Sequence, residues 1–177
     1  MTSREDALNL FDSLEPVDID FMMGRWRGEG YPTGHPHDGL LEAYHWYGKD
    51  FESSEDAHPL LFSNRRGEVV RINPGAMALA GQRGGPVSKT AVRIFRLLMP
   101  LLSTSKSRAR LRMTEYRGKM SATMIYDQLP IHDVFRKLDD KTVIGVMDHK
   151  HIEEPFFFKL RIDHHSPASG RRLGGVK

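Results

Sequence analysis

The sequence predicts a mainly β fold of the α+β type: a curved antiparallel sheet, closed or nearly closed into a barrel, with a short N-terminal helix and a mid-chain helix. Three observations predict it. In Gly24-Arg25-Trp26-Arg27-Gly28-Glu29-Gly30, a strand would place Gly24, Trp26, Gly28 and Gly30 on one face and Arg25, Arg27 and Glu29 on the other. One indole among positions without side chains suits the inside of a tight curve, because glycine within a strand marks a bend, a bulge or a close approach. The second half of the chain is a succession of strand-like runs broken by turn signals. Its last run, Phe156 to Asp163, alternates Phe156, Phe158, Leu160 and Ile162 with Phe157, Lys159, Arg161 and Asp163, the pattern of a sheet covered on one side.

The elements follow in order. Ser3 with Asp6 resembles a capping box, and Ala7, Leu10, Phe11 and Leu14 recur at helical spacing until Pro16. A short amphipathic helix is expected there. Met22 to Tyr31 is the glycine-tryptophan strand, and Pro32 to Gly39 a loop rich in Gly, Pro and His. Leu40 to Tyr47 fits a short helix or a second strand. Residues 52–59 are polar and loop-like, and Glu68 to Ile72 reads as a strand closed by Asn73-Pro74-Gly75. After a glycine-rich break at Gly81 to Pro86, Val87, Ala91, Ile94, Leu98 and Leu101 form a helical stripe. Lys89, Arg93 and Arg96 lie on another face, and Pro100 is the expected stop. Strands are expected at Arg108 to Tyr116, Lys119 to Tyr126, Val134 to Leu138 and Thr142 to Asp148, with turns at Gly118 and Asp139-Asp140-Lys141. The reading gives one domain over residues 1–163 and a disordered tail over 164–177.

At 177 residues a chain can bury roughly 70% of its unfolded surface, enough for one core. The absence of Cys excludes disulfides, thiol catalysis and Cys-ligated metals. No apolar run approaches the roughly 20 residues of a membrane span, and Arg4-Glu5-Asp6 does not read as a signal peptide. A cytoplasmic protein is the expectation. A net charge of +3 is too weak by itself to argue for nucleic acid.

Gly24-x-Trp26-x-Gly28 resembles the signature of the GXWXG protein family. Leu40-Leu41-Glu42, Trp46-Tyr47-Gly48-Lys49-x-Phe51, Tyr126-Asp127-x-x-Pro130-Ile131-x-Asp133-x-Phe135-Arg136-Lys137, Gly145-x-Met147-Asp148-x-Lys150 and Pro155-Phe156-Phe157-Phe158 fit the same family and the uncharacterised domain that accompanies it. The resemblance runs from about Leu14 to Ile162, with the GXWXG segment near 14–75 and its companion near 105–163. It implies a barrel-like fold and little chemistry. Lipocalins and nitrobindins, which also carry a Trp between glycines on a first strand, are more distantly similar, so the expected barrel is lipocalin-like.

Candidate site residues concentrate between Tyr126 and Lys150. A charge pointing into an apolar barrel must be paired or hold a ligand. Asp127, Asp133, Arg136, Lys137, Asp148 and Lys150 are therefore candidates for fixing the polar end of a ligand whose walls are Trp26, Met124, Tyr126 and Phe158. The competing reading is a structural salt bridge with solvated neighbours. Met113, Met120, Met124 and Met147 on apolar strands suit either an adaptable pocket or ordinary core filling. His35-x-His37 and His149-x-His151 could pair on a face as metal ligands do, with His45 or a Glu as a third. His132, His149 or His151 could face a haem. No third ligand or haem pattern is evident, and the reading assigns no metal and no cofactor. There is no GxSxG. Lys106, Arg108, Arg110 and Arg112 would line up on one face of a strand, to meet phosphate or simply water.

The expected function is burial of a small, mainly apolar or amphiphilic ligand inside the barrel. Two alternatives stand: an enzyme using Asp127, Asp133 or Asp148 beside Arg136 or Lys150, and a peripheral protein meeting anionic lipid or RNA through its basic face. The partner is thus a small molecule. Nucleic acid is not the expected partner, membrane contact is at most peripheral, and a homodimer stays open.

Overall fold

The computed structural model of the chain describes residues 2–76 and 88–164. The elements are α1 (Arg4–Ser13), β1 (Glu15–Pro16), β2 (Gly24–Gly30), α2 (Leu40–Ala43), β3 (Trp46–Phe51), β4 (Ala57–Ser63), β5 (Val69–Arg71), α3 (Lys89–Leu102), β6 (Ala109–Tyr116), β7 (Lys119–Tyr126), β8 (Ile131–Asp139), β9 (Thr142–His149) and β10 (Ile152–Ile162). All strand pairs are antiparallel and belong to one sheet. Eight strands close a ring in the order β8-β7-β6-β4-β3-β2-β10-β9, with β9 returning to β8. β1 extends β8, and β5 extends β4.

The glycines explain how so tight a ring accommodates large aromatics. A Cβ at Gly28 would overlap the Trp46 ring, and one at Gly145 would overlap the Phe158 ring. Each ring occupies the space that a side chain at the glycine would need. Gly48 has φ +144° and presses on the Trp26 carbonyl, a conformation and a contact that only glycine tolerates. Trp26 is fully buried and donates its indole N–H to the Met22 carbonyl at 2.8 Å.

Two apolar clusters sit on the two faces of the sheet. The inner one includes Trp26, Trp46, Phe51, Leu111, Met124, Phe135, Phe158 and Leu160. The outer one is made where α1 lies on the ring: Ala7 and Phe11 pack on Val134, Ile144, Val146 and Phe157. The capping box at Ser3 and Asp6 is present with both its bonds. At the other end of α1, Lys119 Nζ donates to the carbonyls of Asp12 and Leu14 at 2.7 and 3.0 Å, a cation where the helix dipole is negative.

The seam between β4 and β6 is the narrowest joint, with Ala57 opposite Ala109 as its register pair. Hydrogen bonds from Arg108 N to Ala57 O and from Leu111 N to Ser54 O support it. Pro59 lies two residues along β4 and offers no N–H to extend the ladder.

Several sequence expectations are corrected. Residues 52–59 are not all loop, since β4 begins at Ala57. Leu40 to Tyr47 is neither one helix nor one strand but holds α2 and the start of β3. α3 runs through Pro100 to Leu102, because a proline in the last turn forfeits a single backbone bond and Ser103 Oγ caps the Pro100 carbonyl at 2.7 Å. Its buried residues are Phe95 and Met99, while Ile94 and Leu101 of the expected stripe face outward. Met113 and Met120 are exposed near the Gly118 hairpin, beyond the end of the ring. Val87, the Gly81 to Pro86 break and residues 165–177 of the expected tail lie outside the described residues. Among the described residues no helix is long and apolar enough to cross a membrane.

Candidate functional site

β3 and β8 stand four strands apart whichever way the ring is followed, so they are opposite walls. Lys49 on β3 reaches across the interior and donates from Nζ to Asp133 Oδ2 on β8 at 2.7 Å. The same ammonium lies 3.2 Å from the Pro59 carbonyl and 3.4 Å from the Tyr126 hydroxyl. Three rings surround it: Phe158 at 5.0 Å, Trp46 at 5.5 Å and Tyr126 at 5.6 Å from the ring centres, within cation–π range. Phe51 and Phe135, each two residues further along the same two strands, meet edge to face at 5.8 Å. The interior is therefore layered, an ion pair above an aromatic pair.

Lys49 and Asp133 are 2% and 1% exposed, so neither charge is hydrated. Loss of water is the largest influence on each: it lowers the Lys49 pKa and raises that of Asp133, against the pull of the partner. Burial also pushes the Tyr126 hydroxyl well above its ordinary value, with the Asp133 charge adding to it. Asp133 Oδ1 is buried and makes no hydrogen bond of ordinary geometry among the described residues, although the Tyr126 hydroxyl interacts with the same carboxylate and works against the rise in its pKa. A buried acceptor left open is costly, on the order of 1–3 kcal/mol. The site sits beside the narrow β4–β6 seam: Pro59 is on β4, and Tyr126 pairs with Ala109 on β6.

The ten residues singled out from the sequence fall into two groups of five. Trp26, Met124, Tyr126, Asp133 and Phe158 all face the interior and belong together. Arg136 is also buried, but three residues from Asp133 it points to the opposite face. There it lies over the Phe11 ring at 4.9 Å and donates to the carbonyls of Tyr116, Phe135 and Lys119. It fastens α1 to the ring and does not reach the Asp133 site. Lys137 pairs with Asp140 at 2.6 Å, Asp127 pairs with Arg110 at 2.8 Å, and Asp148 and Lys150 are exposed. These five lie apart from the interior group.

Lys49 escaped the sequence reading. Lys49-x-Phe51 is one step of strand alternation, but Trp46 has the opposite parity and yet also points inward. Register shifts between β3 and β4 on both sides of Gly48 reconcile the two, and a bulge of that kind leaves no trace in a periodicity count.

The basic row of β6 is paired along its length. Arg110 binds Asp127, and Arg112 binds Glu55 at 2.8 Å; Lys106 and Arg108 precede the strand. A second outer network joins Asp50 to Arg25 and Arg71, both at 3.0 Å, and Arg71 to Glu52. His35 packs against His37 and Phe156, and His151 N donates to His149 Nδ1. Among the described residues no group of three or more His, Asp and Glu is placed to hold a metal ion.

Comparison with known proteins agrees with this architecture. The family model described as GXWXG protein matches residues 9–67, and that described as domain of unknown function (DUF4334) matches residues 107–161. A crystal structure of a protein from Thermomonospora curvata is similar to this chain at 31% identity, with a TM-score of 0.69 over 91% of this chain and 88% of that one. No curated protein matches. The two matched segments contribute the opposite walls that Lys49 and Asp133 bridge, and the chain belongs to the GXWXG family with its DUF4334 companion domain.

Proposed function

We propose that the barrel binds one small, mainly apolar or amphiphilic molecule in its interior, with Lys49, Asp133 and Tyr126 holding its polar end. The observation that carries this reading is the open, buried Asp133 Oδ1 beside a caged ammonium. A buried ion pair adds little to stability over an apolar pair of the same volume, so its place at the centre of an aromatic barrel calls for another use. Lys49 already satisfies Oδ2, so the favoured polar end is a hydrogen-bond donor, such as an alcohol or an amide. Two clefts of about 470 and 420 Å³ lie on the outside, and interior binding requires the rings to part. The β4–β6 seam, beside the site, is the natural place. Apparent affinity is then reduced by the population of the parted state. A cytoplasmic setting belongs to the same proposal and is compatible with a chain free of Cys.

Both tryptophans of the chain, Trp26 and Trp46, line the interior, so intrinsic fluorescence tests the reading. Titration with dodecanol should give a saturable change, with dodecanoate weaker. The change should vanish in the Lys49→Met/Asp133→Leu variant. No saturable change with either probe would oppose interior binding.

A second reading is an enzyme on the same residues, favoured by the opposed pKa directions of Lys49 and Asp133. Asp133 would be the acid or base and Lys49 the amine that steadies charge. Recovery of a bound molecule chemically altered after incubation would favour it over simple binding.

A further inference from the structure

We propose that α3 docks the protein on an anionic membrane surface. Among the described residues six large apolar side chains are exposed, and three of them, Ile94 (52%), Leu97 (71%) and Leu101 (82%), stand on α3. With 3.6 residues per turn they fall within roughly 60° of arc, so they form one ridge. The inner face of the same helix is satisfied separately: Phe95 meets Tyr44 at 5.1 Å and Phe62 at 5.0 Å, and Met99 is buried. The ridge is thus apolar surface beyond what the core takes up.

Charge decides what fits it. α3 carries Lys89, Arg93 and Arg96 and no acidic residue, and the three cations lie along one edge of the ridge. Arg65 and Arg66, from the β4–β5 turn, line an outer cleft with Arg96, Met99 and Pro100 on that same edge, Glu68 being the acid beside them. Glu68 accepts from Asn64 at 2.7 Å. An apolar ridge with a basic border is the pattern of a helix lying in a bilayer interface, ridge among the acyl chains and cations at the phosphates. Nucleic acid would use the cations and leave the ridge wet. A spanning role is excluded for α3 by its 14 residues, against about 20 needed. The proposal does not rest on interior ligand binding.

The test is co-sedimentation of the full chain with vesicles of phosphatidylcholine containing about 30% phosphatidylglycerol, and with phosphatidylcholine alone. Binding should appear on the anionic vesicles and weaken strongly from low to high salt. Leu97→Ser/Leu101→Ser, at solvent positions, should leave the melting temperature unchanged and cut partitioning at least tenfold. Lys89→Gln/Arg93→Gln should cut it by roughly fivefold per charge removed and flatten the salt dependence. The proposal is overturned if neither vesicle binds, or if the Leu97/Leu101 variant binds as the wild type does. It is also overturned if the chain is a dimer that this variant converts to monomer, or if an RNA oligonucleotide binds where vesicles do not.

Discussion

Lys49 and Asp133 each lose their water on folding and keep one strong partner, and this makes their stability behaviour diagnostic. Removing one of them strands the other: Asp133→Asn should lower the unfolding free energy by about 3–5 kcal/mol, measured by urea denaturation. The double variant Lys49→Met/Asp133→Leu should recover most of that loss, because an apolar pair of similar volume has no charge to desolvate. If the double variant is as unstable as the single one, the ion pair is structural and the argument for its functional use fails. Gly28 tests the packing beside it. Gly28→Ala drives a methyl group into the Trp46 ring and should cost about 1–3 kcal/mol, while the open space around Gly118, at φ +75°, makes the loss there one of backbone strain alone. That Trp26 is interior was legible from its glycine neighbours. Lys49 was not, because its inward direction depends on a register shift between two strands and not on the residues next to it.

Among the elements, α1 follows its sequence pattern closely, and β10 follows it from Phe156 to Ile162 except at Phe157, which lies on the expected polar face but is buried under α1. In α1 the apolar spacing is regular, and the burial of Phe11 against Tyr116 and Phe157, both edge to face, follows from it. Phe11→Ala should therefore destabilise by about 3–5 kcal/mol, whereas Ser3→Ala should cost about 1 kcal/mol through the lost cap. Equal effects in thermal melts would mean that α1 is held by its end and not by its face. β4 was hidden by Asp56, His58 and Pro59, which read as loop residues. His58 is nonetheless buried, and Pro59 contributes a carbonyl to Lys49 in place of an N–H to the ladder. α3 was legible as an amphipathic helix, but which part of its wide apolar arc turns inward was decided by Tyr44 and Phe62, residues distant in the sequence.

For the whole molecule, two buried histidines set an acid limit. Burial is the main cause that holds both His35 and His58 below their ordinary value, helped by His37 and Arg71 respectively. The unfolded chain therefore takes up protons first as pH falls through about 6.5. Stability is full above that pH and declines below it, toward the lower folded values. The urea midpoint should be lower at pH 5.5 than at pH 7.5, and His58→Gln should shrink the difference. This comparison separates His58 from Asp133, whose raised pKa acts in the opposite direction. An unchanged difference in the variant would remove His58 from the account. That the caged Lys49–Asp133 centre holds a small molecule is what the proposed function stands on, and native mass spectrometry of the full chain purified without denaturation tests it most directly. The expected species is heavier than the bare chain by one extractable amphiphile and is absent from folded Lys49→Met/Asp133→Leu. A wild-type chain at its bare mass, with nothing recovered by solvent extraction, would contradict it.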